Sequence, residues 1–186
     1  MNLESERLNL IEVTWNDVDD IHKLHSYEEV DEFNTLGLPK DIDETREVIR
    51  PMMEDRDVDI RKLYFWKIIT KQDNEFVGIA GMNLSVNKFK LGEIYYKFMP
   101  GHWGKGYATE SAKTLIQFGF RHLKLHRIEA GVATENIKSI RVLEKIGMTQ
   151  EGIRRKILPI RGEWKDNFHY AIVENDPFPS EVKNAF

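Results

Sequence analysis

The segment MPGHWGKGYATESAKTLIQFGF, residues 99 to 120, constrains the chain more than any other. A Pro-Gly pair closes whatever precedes it, Gly104 and Gly106 then flank a lysine, and an apolar stripe begins at once. Ala108, Ala112, Leu115, Ile116, Gly119, Phe120 and Leu123 recur at the i, i+4, i+7 and i+8 spacing of a helix face. The pattern predicts a helix that starts directly out of a glycine turn. Such a turn presents unpaired N–H groups at the positive end of the helix dipole, and glycine's missing Cβ lets a bulky anion come close. A tight turn chosen for packing alone is the other reading of the same glycines. The Lys-Ser/Thr of a P-loop and a full G-x-G-x-x-G are both absent.

The rest of the chain supplies the frame. Alternation in ERLNLIEV, with Leu8, Leu10 and Glu12 on one face, predicts a first strand. Two helical patterns follow: Val18, Ile21, Leu24 and His25 behind a cap at Asn16 or Asp17, then Val48, Ile49, Met52 and Met53 in a stretch interrupted by Pro51. From Tyr64 the period becomes strand-like, with two strands around a turn at QDNE and a third, FKLGEIYYKFMP, ended by Pro100. After the quoted helix come a short strand HRIEAGV, a helix TENIKSIRVLEKIG capped by Asn136 and stopped by Gly147, and two closing strands. That order describes an α/β (α+β) chain: a mixed sheet, largely an antiparallel meander, with helices on its faces.

At 186 residues and 41% hydrophobic content, residues 1–186 are read as one domain with a core of its own. There is no cysteine, so a disulfide framework, a thiolate metal site and a thiol nucleophile are excluded, and no metal is expected. No apolar run approaches the roughly 18 residues of a membrane span, and the run RRK at Arg154 to Lys156 is too short to argue for nucleic acid. A cytoplasmic setting with neither membrane nor nucleic-acid partner is expected. The net charge of −4 hides an asymmetry: residues 1 to 60 hold 6 Lys/Arg against 18 Asp/Glu, a net of −12, and the remainder 21 against 13, a net of +8. Such a split would steer an anionic ligand to the later part and a cationic one to the earlier part, unless both surfaces are merely solvated.

Taken together, ERLNLIEV, FVGIAGMNL, GEIYYKFMPGHWGKGYATESAKTLIQFGF, RIEAGVATENIKSIRVLEKIGMTQEG and GEWKDNFHYAI make the chain resemble, over essentially its whole length, the GNAT superfamily of acetyl-CoA-dependent N-acetyltransferases. Within it the resemblance is to the branch of ribosomal-protein N-terminal acetyltransferases. It implies a mostly antiparallel twisted sheet of about seven strands with four flanking helices, in which the fourth and fifth strands of the family's count splay apart. It also implies acetyl-CoA as cosubstrate, an acetyl-CoA-binding core over about residues 88–150, and an acidic acceptor-side segment over about 13–60. Trp103, Gly104, Lys105, Gly106, Tyr107 and Ala108 would hold the pyrophosphate through main-chain N–H groups, and Phe98 and Met99 would bond the pantetheine arm by backbone. Asn136 would contact the pantetheine. Ser139 would lie near the sulfur as the acid that protonates the departing thiolate.

The residues leave several of these roles open. Asn136 also reads as a plain N-cap and Ser139 as a first-turn surface residue, and many relatives use a tyrosine as the acid. Glu93 is the first candidate for the base that takes the proton of the attacking amine, because it alternates with Tyr95 and Lys97 on the strand that ends at the glycine turn; pairing with Lys97 is its structural alternative. Glu129 is the weaker candidate, while Asp166 and Tyr170 match a family block with a structural or substrate-lining role. Lys138, Arg141 and Lys145 form a basic stripe that could reach the coenzyme's 3′-phosphate or simply face solvent. Six scattered histidines carry no metal-ligand spacing, and no G-x-S-x-G elbow is present. The expected activity is direct acetyl transfer to a primary amine, preferentially a protein N-terminus in a basic context, with a polyamine, aminoglycoside or amino acid as the small-molecule alternative and a homodimer as a possible assembly. A non-catalytic acyl-CoA sensor is the competing class.

Overall fold

The structure is a computed structural model and describes residues 1–178. Its strands are β1 (Leu3–Glu4), β2 (Leu8–Glu12), β3 (Leu63–Thr70), β4 (Phe76–Leu84), β5 (Leu91–Phe98), β6 (Arg127–Ala133), β7 (Thr149–Ile160) and β8 (Glu163–Val173). Its helices are α1 (Val18–His25), α2 (Glu28–Asp31), α3 (Ile42–Glu54), α4 (Tyr107–Gln117) and α5 (Ile137–Lys145). All eight strands join one sheet in the order β1-β2-β3-β4-β5-β6-β8-β7, antiparallel except for β5 beside β6. The strand β1 and the one-turn α2 exceed the expected elements, each being too short to show a period.

Alternation along the strands divides the sheet into two covered faces. Leu8, Leu10, Trp66, Ile68, Ala80, Met82, Ile94, Phe98 and Ile128 pack beneath α4 and α5, with Ala112, Leu115, Ile116 and Leu143 supplied by the helices. Phe65 and Ile79, with Tyr95 and Met99 at their margin, pack on the other face beneath α1 and α3, against Val18, Ile21, Leu24 and Ile49. Pro51 is accommodated inside α3, whose start is fixed by the Asp41 carboxylate accepting from the Glu44 N–H at 2.9 Å. Beyond α4 the chain continues as a π-helical turn from Phe118 to His122. This extra residue per turn rotates Phe118, outside the expected stripe, into the core and leaves Phe120 only partly buried.

The parallel contact between β5 and β6 is brief. Leu91, Gly92 and Glu93 pair with Arg127, Ile128 and Glu129, and no pairing continues beyond them. From Ile94 onward β5 stays with β4 while β6 goes with β8, so the two central strands diverge into a wedge. The Met99 N–H donates to the Val77 carbonyl at 2.9 Å, which turns the backbone of the odd-numbered residues of β5 towards β4. By alternation, the backbone groups of Tyr96 and Phe98 face the wedge.

Candidate active site

The glycine turn lies at the mouth of that wedge. Gly104 and Gly106 both take left-handed backbone, φ +77° and +82°, which side chains with a Cβ resist. The Trp103 N–H, expected to join the anion site, is committed to the Pro100 carbonyl at 3.2 Å, whereas the N–H groups of Gly104, Lys105, Gly106, Tyr107 and Ala108 find no acceptor among the described residues; the first return bond of α4 runs from the Glu110 N–H to the Gly106 carbonyl at 3.0 Å. A Cβ on Gly104 would meet nothing within 4 Å, so the outer side of the turn is open. Five free donors on an open turn, at a helix N-terminus and beside Lys105, fit a pyrophosphate.

Side chains hold this turn in place. The Trp103 indole N–H donates to the Phe98 carbonyl at 2.8 Å, and the Lys138 ammonium sits 4.2 Å from the centre of the indole ring. On the far side, Arg7 bonds Glu110 through Nε at 2.8 Å, donates to the Lys105 carbonyl at 3.0 Å and stacks over Tyr107 at 4.8 Å. Ser5 and the Arg7 N–H also donate to the Glu110 carboxylate, each at 2.7 Å. Arg7 was not anticipated: its partners lie about a hundred residues away in the chain.

At α5 the Asn136 side chain accepts from the Ser139 N–H at 3.1 Å, so the carboxamide oxygen is a helix cap and its NH2 stays free for a ligand. Ser139 is half-buried beside Tyr96, whose enclosed hydroxyl interacts with the Ser139 side chain. Burial pushes the Tyr96 phenol well above its ordinary value, and the neighbouring Ser139 hydroxyl opposes this only in part. Met99 requires a correction. Its N–H is committed to Val77 and its carbonyl accepts from His102 at 2.9 Å, so Met99 has no N–H to offer a pantetheine arm. Strand alternation instead brings the backbone of Tyr96 to the wedge beside that of Phe98, a signal available in the sequence.

A family model described as an acetyltransferase (GNAT) domain matches residues 7–149. The chain belongs to the GNAT acetyltransferase family. It is 31% identical over 174 residues to the uncharacterized N-acetyltransferase p20 of Bacillus licheniformis, covering 94% of this chain and 97% of that one. It is also similar to a solved GNAT-family acetyltransferase from Bacillus anthracis, with 32% identity, a TM-score of 0.82, and 95% and 100% of the two chains covered. A spermidine N-acetyltransferase from Vibrio cholerae, solved with CoA and spermine, shares the fold at 22% identity and a TM-score of 0.80, over 91% and 96% of the chains. As a GNAT member the protein is an acetyl-CoA-dependent N-acetyltransferase, and the open turn, the free N–H groups and the wedge fit that cosubstrate.

The GNAT wedge exposes its second face beneath α1, α2 and α3. Glu93, Tyr95 and Lys97 of β5 point there, opposite Asn83, Gly81 and Ile79 of β4. Glu93 is exposed and makes no ion pair among the described residues; the pairing with Lys97 that was its structural alternative does not form. Glu129 is tied up by Arg127 at 2.6 Å and by His169 at 3.3 Å, which disqualifies it as a free base. Asp166 accepts from the Lys156 N–H at 2.9 Å and Tyr170 donates to Gln150 at 3.3 Å, both inside the β7–β8 hairpin. They support the fold of that arm.

The acidic N-terminal third does not make this face acidic. Glu12 is surrounded by the chain's amino group, Arg61 and Arg56; burial works to raise its carboxyl, but the amino group and Arg61 outweigh it and hold it below the ordinary range. Asp17 is held below the usual range in the same manner: Lys67 and Thr14 overcome the cost of burial. Asp31 pairs with Arg161 at 3.3 Å. Lys97 is different. Its ammonium is enclosed and bonds to no described residue, and burial pushes it down to about 8 against the pull of Asp31. His25, enclosed nearby, is pushed to about 3 by burial and then by the positive charge of Lys97, so it is neutral at physiological pH.

Proposed function

We propose that the protein acetylates the α-amino group at the N-terminus of a polypeptide, in the cytoplasm, by direct attack within a ternary complex. The bound cosubstrate supplies an activated acetyl thioester. The free N–H groups from Gly104 to Ala108 hold its pyrophosphate, with Trp103 bracing the turn, and Asn136 and the Phe98 backbone hold the pantetheine arm. An N–H of the diverging strand facing the wedge, with Tyr96 as the candidate, stabilises the oxyanion, a contribution worth about 3 to 4 kcal/mol in other acyl-transfer enzymes. Glu93, on the opposite face, receives the proton of the attacking amine, directly or through water. Ser139, backed by Tyr96, returns a proton to the sulfur.

The observation that carries the acceptor class is the exposure of Glu93. An exposed carboxylate can pass a proton on to solvent, and such a relay suits an amine that is already partly neutral. With a pKa of about 7.7 to 8.0, roughly one α-amine in ten is neutral at pH 7, against fewer than about one in a thousand for a lysine-like alkyl amine near 10.4. The likeness to ribosomal-protein acetyltransferases points the same way, whereas the spermidine enzyme represents the small-amine class. The test is thiol release from acetyl-CoA with short peptides bearing a free N-terminus, with the same peptides Nα-blocked but containing lysine, and with spermidine. At pH 7 the free N-termini should show at least tenfold higher kcat/KM. Equal or faster turnover of the blocked peptides or of spermidine overturns the α-amine reading.

A further inference from the structure

Ten buried side-chain nitrogen and oxygen atoms have no hydrogen-bond partner among the described residues, and seven of them belong to the acceptor face: His25 Nε2, Asp31 Oδ1, Asn83 Oδ1, Tyr95 OH, Lys97 Nζ, Asn167 Oδ1 and His169 Nδ1. Cross-strand pairing places them on that face, since Asn83 lies opposite Glu93, His169 opposite Gly131 and Asn167 opposite Ala133, while His25 and Asp31 come from the helices above. Buried polar groups are ordinarily satisfied, and a cluster of orphans beside an open wedge marks where a ligand completes the bonding.

The charges in the cluster give the ligand a sign. Among the described residues, Asp31 is the only carboxylate that acts on Lys97, and its second oxygen already accepts from Arg161, which also donates to the Glu28 carbonyl at 2.8 Å. Two cations therefore share one carboxylate. His25 is neutral, Glu129 is neutralised by Arg127, and Glu93 lies four residues back along an extended strand, beyond contact. Arg161 is exposed and shares its charge with water, whereas the enclosed Lys97 feels Asp31 only at a distance and has no hydrogen-bonded anion among the described residues, and buried charges are stable when paired.

We propose that the acceptor carries a carboxylate as well as its amine, and that Lys97, with Arg161 behind Asp31, reads it. This deepens the α-amine reading and rests on it for the amine alone. The carboxylate can be the free α-carboxylate of an amino acid or the side chain of an acidic N-terminal residue; both present the same two oxygens to an ammonium. A lysine-like or polyamine acceptor would instead bring a second cation to Lys97. The chain's strongly acidic first third, which by charge count favours a cationic acceptor, does not contradict this, because its buried carboxylates are already paired.

The experiment is titration calorimetry of acceptor twins into the full chain saturated with CoA, which reads binding without turnover. Aspartyl-dialanine amide is compared with its asparaginyl and lysyl twins, alanine with alaninamide, and 4-aminobutanoate with 1,4-diaminobutane. In at least one set the carboxylate-bearing twin should bind at least tenfold tighter; which of the first two sets shows it distinguishes a side-chain carboxylate from an α-carboxylate. Lys97→Met should reduce the preference to less than about threefold, and Lys97→Arg should retain it. Equal binding of the twins in every set, tighter binding of the cationic twins, or no binding of any twin overturns the proposal, whatever the variants do. A preference that survives Lys97→Met assigns the carboxylate to another residue and also overturns it. Carboxylate preference confined to 4-aminobutanoate, an alkyl amine, would sink the α-amine reading and leave this one standing.

Discussion

The two faces of the sheet are built on opposite rules. Beneath α4 and α5 the side chains are closely packed, with unpartnered polar atoms among the described residues only at Tyr96, Ser111 and Gln117, and what is offered to the cosubstrate is mainly backbone: five N–H groups on a turn held from behind by Arg7, Glu110 and Trp103. Beneath α1, α2 and α3 the backbone is committed to strands and helices, and what is left free is side chain. Backbone donors recognise a phosphate by shape and dipole, and they serve any acceptor equally. Unpaired side chains carry charge and hydrogen-bonding specificity, which is what selects one amine from another. The constant half of the reaction is thereby assigned to main chain and the variable half to side chains.

The sharpest way to break this division is Gly106→Val. The substitution places a β-branched residue at φ +82° and brings a side chain against the Arg7 guanidinium, which lies 3.3 Å from the new Cβ. It should weaken CoA binding at least a hundredfold in calorimetry, and unchanged affinity would remove the anion-site argument. Glu93→Gln probes the other face. It should lower kcat by about a hundredfold, within the range of a lost general base, with CoA affinity unchanged. Full activity would show that an incoming α-amine needs no protein base.

Stability should also separate the faces. His25 is held far below its ordinary value, so the unfolded chain binds a proton that the folded chain refuses between about pH 6.5 and pH 3. The contribution is fully present above pH 6.5 and is lost as pH falls, at about 1.4 kcal/mol for each unit of that window. Denaturant titrations at pH 7 and pH 5 should show this loss, and His25→Phe should flatten it; a pH-independent midpoint in the native chain would place His25 in contact with water. Arg7→Ala, on the cofactor face, should cost about tenfold in CoA affinity by loosening the Lys105 carbonyl. Glu110→Gln should behave alike, and the double variant should be no worse than either alone, since the two act through one contact. Additive losses would make them separate ligand contacts.

The same contrast explains what could be read in advance. The turn, the helix stripe of α4, the Asn136 cap and the meander rest on residues within a few positions of each other, and local chemistry decides them. Arg7 against Lys105, the commitment of Met99 to Val77 and the isolation of Lys97 depend on which strands become neighbours. Glu129 shows the limit best. As a carboxylate on the splaying strand it is an acceptable base in sequence, and only the arrival of His169 from β8, with Arg127 two residues away, removes it. The charge split between the two parts of the chain was legible as a number but not as a location, because ion pairs such as Asp31 with Arg161 join the acidic part to the basic one.

Ser139→Ala should have the smallest effect, and it tests the border between the faces. A thiol with a pKa near 8.5 leaves as its anion with little help, so losing the hydroxyl should reduce kcat by only about threefold to tenfold. Tyr96 makes the outcome informative. Its enclosed hydroxyl interacts with the Ser139 side chain, and burial keeps it protonated, a competent donor beside Ser139. If Tyr96→Phe leaves kcat alone in the native chain but lowers it tenfold or more in the Ser139→Ala background, the two hydroxyls are interchangeable acids. If Ser139→Ala already costs a hundredfold, Ser139 acts alone and Tyr96 serves the core. A wild-type rate in the double variant would show that the thiolate departs unaided, leaving the cofactor face with binding as its whole contribution.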